Sequence, residues 1–149
     1  MEIHRIAIGS DHAGFQLKEQ IQAILREKGY VVDDKGTFDG KTSCDYPDFA
    51  LAVAKDVAAH NADIGVLVCS TGIGMSITAN KVHGIRAALV HNAFEAKMTR
   101  RHNNANIICF GANVIGPSVA LDALDAFLSN DFEGGRHQRR IDKMMAAEV

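Results

Sequence analysis

The sequence predicts a three-layer α/β fold in which helices cover both faces of a five-stranded parallel sheet. Short runs rich in β-branched residues alternate along the chain with longer segments whose apolar residues recur at helical spacing. This alternation is the order that successive βα units produce. Three of the runs are almost uninterrupted in apolar residues, as strands buried on both faces should be. Such an arrangement is Rossmann-like.

Five strands and six helices are expected along the chain. The strands are predicted at residues 3–8, 30–33, 64–69, 86–90 and 106–110. The helices are predicted at residues 15–28, 47–59, 75–81, 93–101 and 117–128, and the polar segment 134–145 is expected to end in one more. The first helix carries an apolar stripe from Leu17 to Leu25 and stops before Gly29, a favourable residue after a helix end. Pro117 suits a first helical turn.

The composition is that of one compact domain spanning residues 1–149. Its residues are 47% hydrophobic and 23% charged, and no repeat, low-complexity tract or linker divides them. Sixteen Lys and Arg against 18 Asp and Glu leave a formal charge of -2, so no global basic field attracts nucleic acid or an anionic membrane. No apolar run approaches the roughly 20 residues of a membrane-spanning helix.

The three cysteines, Cys44, Cys69 and Cys109, are widely separated, form no CxxC pair and follow no signal peptide. We therefore expect a reduced, cytoplasmic chain without a disulfide framework or structural zinc. Cys109 lies within a predicted buried strand and is expected to be an inert core thiol. Cys44 is expected in a surface loop, residues 35–45.

Polar residues follow three of the predicted strands, at residues 9–14, 69–74 and 91–92. Ligands of open parallel sheets bind beyond the carboxyl ends of the strands, where the βα loops and the helix N-termini gather. We therefore expect the functional site of this chain at that edge of the sheet.

The loop of residues 69–74 joins a buried strand to a helix through small residues, so several backbone N–H groups turn toward one point. Such a nest suits a phosphate or an oxyanion. It is neither a Walker A loop nor a dinucleotide fingerprint, because no Gly-Lys-Ser/Thr follows and Ile77 stands where the third Gly belongs. Met75 excludes a Cys-x5-Arg phosphatase loop. Cys69 is a candidate base or nucleophile, and a tight turn with a buried thiol is the alternative.

Three further candidates have structural alternatives. Asp11 and His12 follow the first strand, but an N-cap carboxylate and a solvent-facing imidazole would look the same. His102 lies near a helix end, where a histidine commonly offsets the helix dipole. Arg136 and Arg140 are four residues apart and share a helical face, which suits either a phosphate grip or a solvated basic tail.

The chain carries a series of motifs, in the order Gly9-Ser10-Asp11-His12-Ala13-Gly14, Asp45-Tyr46-Pro47, Cys69-Ser70-Thr71-Gly72-Ile73-Gly74-Met75-Ser76, Asn80-Lys81, Gly84-Ile85-Arg86-Ala87, Arg101-His102-Asn103 and Glu133-Gly134-Gly135-Arg136-His137. Together they closely resemble the type B ribose-5-phosphate isomerases, a family that includes the galactose-6-phosphate isomerase subunits. The match covers essentially the whole chain. It implies a metal-free, cofactor-free isomerase of the pentose phosphate pathway that interconverts an aldose phosphate and a ketose phosphate through an enediolate.

The resemblance implies specific catalytic roles. Cys69 matches the base that moves a proton between C1 and C2, and Thr71 matches an assisting hydroxyl. His102 resembles the residue that opens the furanose ring, a task that suits a side chain titrating near neutrality. The enediolate carries negative charge, which the amides of residues 70–74 are expected to stabilise, including those of Ser70, Gly72, Ile73 and Gly74.

The resemblance also implies how substrate is held. Asp11 and Asn103 would bind sugar hydroxyls, and His12, Arg136 and Arg140 would grip the phosphate. Family members are dimers, sometimes paired into tetramers, so a homodimer or a dimer of dimers is expected. Each site would draw residues from both chains, with segment 134–149 packing at the dimer interface.

Two positions depart from the family pattern, and other functions stay open. Ser70 stands where many members carry Gly, and Asn113 stands where many carry an Arg that reaches the substrate. The alternatives are an isomerase of a six-carbon sugar phosphate, such as allose or galactose 6-phosphate, and a catalytically silent sugar-phosphate sensor. Retention of Cys69, Thr71 and His102 together argues against the sensor, because binding alone needs no base and no ring opener.

Overall fold

A computed structural model describes residues 1–149 and confirms the five-stranded parallel sheet. The strands are β1 (Arg5–Ser10), β2 (Val31–Asp34), β3 (Ile64–Cys69), β4 (Ala87–Leu89) and β5 (Ile107–Gly111). Their order in the sheet is β2-β1-β3-β5-β4, and every neighbouring pair is parallel. The third strand has the predicted bounds.

Six helices connect and follow these strands. They are α1 (Phe15–Glu27), α2 (Tyr46–Ala58), α3 (Ile73–Ala79), α4 (Ala93–Asn103), α5 (Pro117–Leu128) and α6 (Arg136–Met145). The fifth has the predicted bounds, and Pro117 occupies its first turn. The predicted start of α3 at residue 75 is wrong, because Gly72 adopts a left-handed φ of 77° and the helix begins directly after it.

The helices form two outer layers, which confirms the three-layer prediction. Helices α1, α4 and α5 pack on one face of the sheet, and α2 and α3 pack on the other. Each strand contributes side chains to the cores on both faces of the sheet, because successive side chains point to opposite faces. In β1, for example, Ile6 and Ile8 join the first core and Ala7 joins the second, and all three are fully buried.

The strand order creates a crevice between β1 and β3. Helix α1 leaves the end of β1 on one face, while α2 leads into β3 on the opposite face, so the direction of winding reverses at this pair of strands. Such a switch point is where open α/β sheets bind ligands. Strand register brings Ser10 opposite Val68, and the N–H of Asp11 donates to the Val68 carbonyl at 3.3 Å. The loops after β1 and β3 therefore lie side by side.

The C-terminal helix α6 packs against α4 of the same chain. His137 and Ile141 are only 6% and 4% exposed there. Segment 134–149 therefore docks on its own domain through these two residues. Its role at a dimer interface stays a prediction. None of the six helices has the length and apolar character needed to cross a bilayer.

Candidate active site

The loop after β1 places a buried carboxylate at the switch point. Asp11 is 7% exposed, and its Oδ1 accepts the backbone N–H of Gly14 at 3.0 Å. This bond holds the turn before α1, whose N-cap is Gly14, so Asp11 is not the helix N-cap. Its Oδ2 has no protein donor, and Asp11 also lines a cavity. The close approach of the two loops requires glycine at position 14, because a Cβ there would lie 2.4 Å from the Val68 carbonyl oxygen.

The loop after β3 folds back onto the thiol of Cys69. This residue ends the strand, is 5% exposed, and accepts the N–H of Gly72 on its Sγ at 3.1 Å. The turn depends on glycine at position 72, since a Cβ there would lie 2.6 Å from Leu89 Cδ1 and 2.8 Å from the Phe110 carbonyl carbon. A donated N–H stabilises negative charge on the sulfur. The geometry therefore suits a proton acceptor at the base of the loop.

Part of the amide nest is free to bind a ligand. The N–H groups of Ser70, Thr71 and Gly74 donate to no protein acceptor. The expectation that all five amides of residues 70–74 are available is wrong, because Gly72 donates to the thiol and Ile73 donates to Thr71 Oγ1 at 3.2 Å. Three donors beside a thiol still suit an oxyanion.

The loop after β5 supports this nest from the neighbouring strand. The amide of Ala112 donates to the Cys69 carbonyl at 2.8 Å, and the backbone N–H of Asn113 donates to the Ser70 carbonyl at 3.0 Å. The Asn113 side-chain Nδ2 also donates to Ser70 Oγ at 2.8 Å. The two residues that depart from the family pattern therefore contact each other directly.

The loops after β1 and β3, with the starts of α2 and α3, line an open cavity of about 400 Å³. Its lining residues are Asp11, Tyr46, Cys69, Ser70, Thr71, Ile73, Gly74 and Ile77. Sequence reasoning gave no role to Tyr46 and Ile77. Tyr46 begins α2 and lies over Gly74, where a Cβ would come within 2.4 Å of the ring. Ile77 is 57% exposed, one turn after Ile73, which is 50% exposed, and only the structure shows that this apolar pair faces the cavity and not the core.

His12 follows Asp11 in the loop after β1 and is half-buried, but it does not line this cavity, and its ring is held by Cys44. Its Nδ1 accepts the backbone N–H of Cys44 at 3.3 Å, and Cys44 Sγ lies 3.8 Å from the same nitrogen. An Nδ1 that accepts a hydrogen bond puts the ring proton of the neutral imidazole on Nε2. His12 is therefore oriented as an Nε2 donor.

A second polar group lies at the junction of α4 and α6. The rings of His102 and His137 stack with centroids 4.1 Å apart and planes at 11°. Glu133 faces both, with Oε2 3.5 Å from His102 Nε2 and Oε1 3.6 Å from His137 Nε2. Burial and the charge of His102 lower the pKa of His137. Burial raises the pKa of Glu133, but the hydrogen bond from Arg101 and the charges of Arg101, His102 and His137 together outweigh burial and leave that pKa below its usual value.

One chain does not bring all the predicted site residues into one cavity. His102, Asn103, Arg136 and Arg140 do not line the cavity at Cys69. Asn103 instead lines a separate cavity of about 620 Å³ beside the C-terminus. The two arginines are exposed on α6 and make no ion pair or hydrogen bond through their side chains.

The remaining thiol is structural. Cys109 is fully buried in β5, and burial raises the pKa of its thiol, so it stays protonated. All three cysteines are free.

The fold and the cavity define a class: an all-parallel three-layer α/β protein with a small-molecule site at its topological switch point. The sequence pattern of the Ribose/Galactose Isomerase family matches residues 6–144, and the chain belongs to this family.

Relatives match over nearly the full length. Ribose-5-P isomerase B of Listeria innocua is 46% identical over 140 residues, covering 94% of each protein. The structure of Clostridium thermocellum ribose-5-phosphate isomerase B is 48% identical, with a TM-score of 0.94 and 95% of each chain covered. The Mycoplasma genitalium enzyme, solved with bound ribulose-5-phosphate, is 43% identical, with a TM-score of 0.92 over 96% of this chain and 95% of that one.

Proposed function

We propose that this protein is a ribose-5-phosphate isomerase, which interconverts ribose 5-phosphate and ribulose 5-phosphate through an enediolate without a metal or cofactor. The observation that carries the proposal is the Cys69 thiol, which ends a buried strand beside the Asp11 carboxylate and three free amides. The full-length similarity to ribose-5-phosphate isomerases B, one of them with bound ribulose-5-phosphate, supports the substrate. The three free thiols suit a cytoplasmic setting.

Cys69 acts as the base of the isomerisation. As thiolate it takes the proton from C2 of the open-chain aldose, and as thiol it returns a proton to C1 of the enediolate. The N–H of Gly72, 3.1 Å from Sγ, stabilises the charged form that begins the reaction. No carboxylate belongs to the same loop, so the thiol is the proton acceptor that this loop supplies.

The free amides stabilise the intermediate. Negative charge develops on the enediolate oxygen, and the N–H groups of Ser70, Thr71 and Gly74 lack protein acceptors. Backbone donors already oriented by the fold cost no reorganisation when charge appears. The Thr71 hydroxyl accepts from Ile73, so its own proton is left to donate to substrate.

The other polar residues bind and open the sugar. His102 transfers a proton to the ring oxygen of the furanose, and its side chain is 37% exposed and accessible to substrate. Asp11 and Asn103 bind sugar hydroxyls. The phosphate is held by His12, Arg136 and Arg140. The guanidinium groups of the two arginines have no protein partner in this chain.

The active unit is a homodimer, alone or paired into a tetramer, with each site shared between two chains. Within one chain, His102, Arg136 and Arg140 do not line the cavity of Cys69, which supports a shared site. A two-fold assembly can bring the α4 and α6 ends of one chain to the cavity of its partner.

Subunit complementation tests this assembly. Inactive Cys69→Ala chains are mixed with inactive His102→Ala chains under conditions that exchange subunits. Random pairing of equal amounts should restore about a quarter of wild-type activity, since half of the dimers regain one of two sites. No recovery despite demonstrated exchange would mean that both residues act from one chain.

A coupled assay with purified protein tests the reaction itself. It compares ribose, allose and galactose phosphates as substrates, and the highest kcat/KM is expected for ribose 5-phosphate. Cys69→Ala should lose at least the roughly 10²- to 10⁴-fold typical of an acid/base group while keeping the fold. Cys44→Ala is the matched control, because it removes a thiol but keeps the backbone N–H that holds His12. Near wild-type turnover of Cys69→Ala would contradict the proposal.

A further inference from the structure

The group of His102, Glu133 and His137, here called the His-Glu-His cluster, comes from two segments of the chain. His102 lies in the last turn of α4, Glu133 precedes α6, and His137 lies in the first turn of α6. One ligand-type atom from each residue lies within 4.8 Å of the others. Two imidazoles and a carboxylate are the donor set that zinc and similar divalent cations take from proteins.

The distances are close to those of a metal site. Four ligands placed tetrahedrally at zinc bond lengths lie about 3.3 Å from one another. His102 Nε2 lies 3.5 Å from Glu133 Oε2, which also accepts from Arg101 Nε at 2.6 Å, and His137 Nε2 lies 3.6 Å from Glu133 Oε1, so each ring faces a different carboxylate oxygen. The rings are nearly parallel, so one must turn about its χ2 to aim its lone pair at a shared ion. His102 is free to do so, because it makes no hydrogen bond and is 37% exposed.

His137 supplies an independent sign that the cluster takes a ligand. Its side chain is 7% exposed, yet Nε2 has no hydrogen-bond partner. A buried polar atom without a partner is unfavourable, and such atoms are rare in folded proteins. Nε2 points at Glu133 from 3.6 Å, too far for a hydrogen bond but near the spacing that two ligands of one ion have.

We infer that the His-Glu-His cluster binds a zinc-like divalent cation and that the bound ion inhibits the enzyme. The inhibitory part rests on the proposed function, because His102 is the proposed ring opener. Its Nε2 lone pair, once donated to a metal, can neither accept a proton nor carry one to the ring oxygen. Inhibition is reversible, since chelation frees the nitrogen. No redox step is involved.

Calorimetric titration of chelator-treated protein with Zn²⁺ tests binding without reference to activity. One Zn²⁺ per chain is expected for the wild type. Glu133→Gln and His137→Gln should each weaken binding by about 100-fold or more, because loss of even an outer-shell partner costs 10- to 100-fold. The matched control is His91→Gln, which removes a histidine from another His–Glu pair, 3.1 Å from Glu95, that has no third ligand. It should bind as the wild type does.

Zinc bound by the thiol site is the competing outcome. Cys69→Ala should retain the full stoichiometry, and its loss there would overturn the assignment. So would absence of binding in the wild type, or unchanged binding in both Glu133→Gln and His137→Gln. The fold of each variant is checked by circular dichroism and thermal melting. The two ligand variants remove different donors, because Glu133→Gln removes the carboxylate and leaves both imidazoles in place.

Activity is then measured with and without Zn²⁺ within each variant, so that changes in basal rate cancel. Zinc should inhibit the wild type and His91→Gln at concentrations that fill the site, and chelator should restore the rate. Inhibition should need about 100-fold more zinc in His137→Gln. Zinc that binds the cluster without inhibiting an active enzyme would overturn the inhibitory part. A wild type that binds zinc but isomerises none of the three sugar phosphates would instead contradict the proposed function.

Discussion

Replacement of Gly72 by alanine tests the loop that holds the Cys69 thiol, and the chain contains a matched control for it. Gly72 and Gly84 both adopt left-handed φ angles, of 77° and 88°. A Cβ at position 84 would meet nothing within 4 Å, whereas one at position 72 would lie 2.6 Å from Leu89 Cδ1 and 2.8 Å from the Phe110 carbonyl carbon. The two substitutions share the backbone strain and differ in the collision.

The expected magnitudes follow from these distances. Left-handed backbone costs an L-residue about 1–2 kcal/mol, so Gly84→Ala should lower the free energy of unfolding by that amount. Gly72→Ala adds an overpacked methyl group beside backbone atoms, which costs about 1–3 kcal/mol more. For a domain of this size the extra loss corresponds to a melting temperature about 2–12 °C below that of Gly84→Ala.

The loop must move to relieve the collision, and the N–H of Gly72 then leaves its 3.1 Å contact with the Cys69 sulfur. Isomerase activity of Gly72→Ala should fall by roughly 10²-fold or more, since the acid/base group loses its position. Gly84→Ala should retain activity. Melting and the coupled assay are carried out at one protein concentration, because the melting temperature of a dimer depends on it. Equal stability and activity of the two variants would refute the argument.

The remaining predictions concern ring opening, metal dependence, loop support and pH. His102→Ala should impair turnover of ribose 5-phosphate more than C1 proton exchange in ribulose 5-phosphate, which has no furanose ring to open; equal losses would contradict the role. Activity should survive exhaustive chelation, and dependence on one added metal would overturn this expectation. Asn113→Ala and Ser70→Ala should each cost about 0.5–1.5 kcal/mol of stability and the double variant less than their sum, because one 2.8 Å hydrogen bond joins them; strict additivity would argue against that bond. Burial and the charge of His102 hold the pKa of His137 below 6.5, so the unfolded chain binds this proton more readily; stability should fall as the pH drops below neutrality through the histidine range, and denaturant melts of His137→Gln should show a weaker dependence.

Local pattern alone determined much of the fold. Strand β3 could be predicted from residue 64 to 69 because it is an apolar run bounded by polar residues, and α5 could be predicted because Pro117 suits only a first turn. The start of α3 could not, because Gly72 makes the turn and only the packing of Leu89 and Phe110 shows why it must. Apolar periodicity locates elements, whereas their ends depend on contacts between elements.

Some of the site residues could also be predicted from the sequence. The position of the Cys69 loop at the end of a strand marked it as a candidate site, and the motif resemblance assigned roles to His102 and the two arginines, which the residues alone had left open. Strand order and helix packing decide which of these residues share a cavity. Neither can be predicted from a local sequence pattern. Only the fold separates His102 from Cys69 within one chain and stacks it on His137. Only the fold joins Ser70 to Asn113, 43 residues apart. Sequence patterns reflect the conformational preferences of residues that are close along the chain. Tertiary packing decides which residues are close across the sheet.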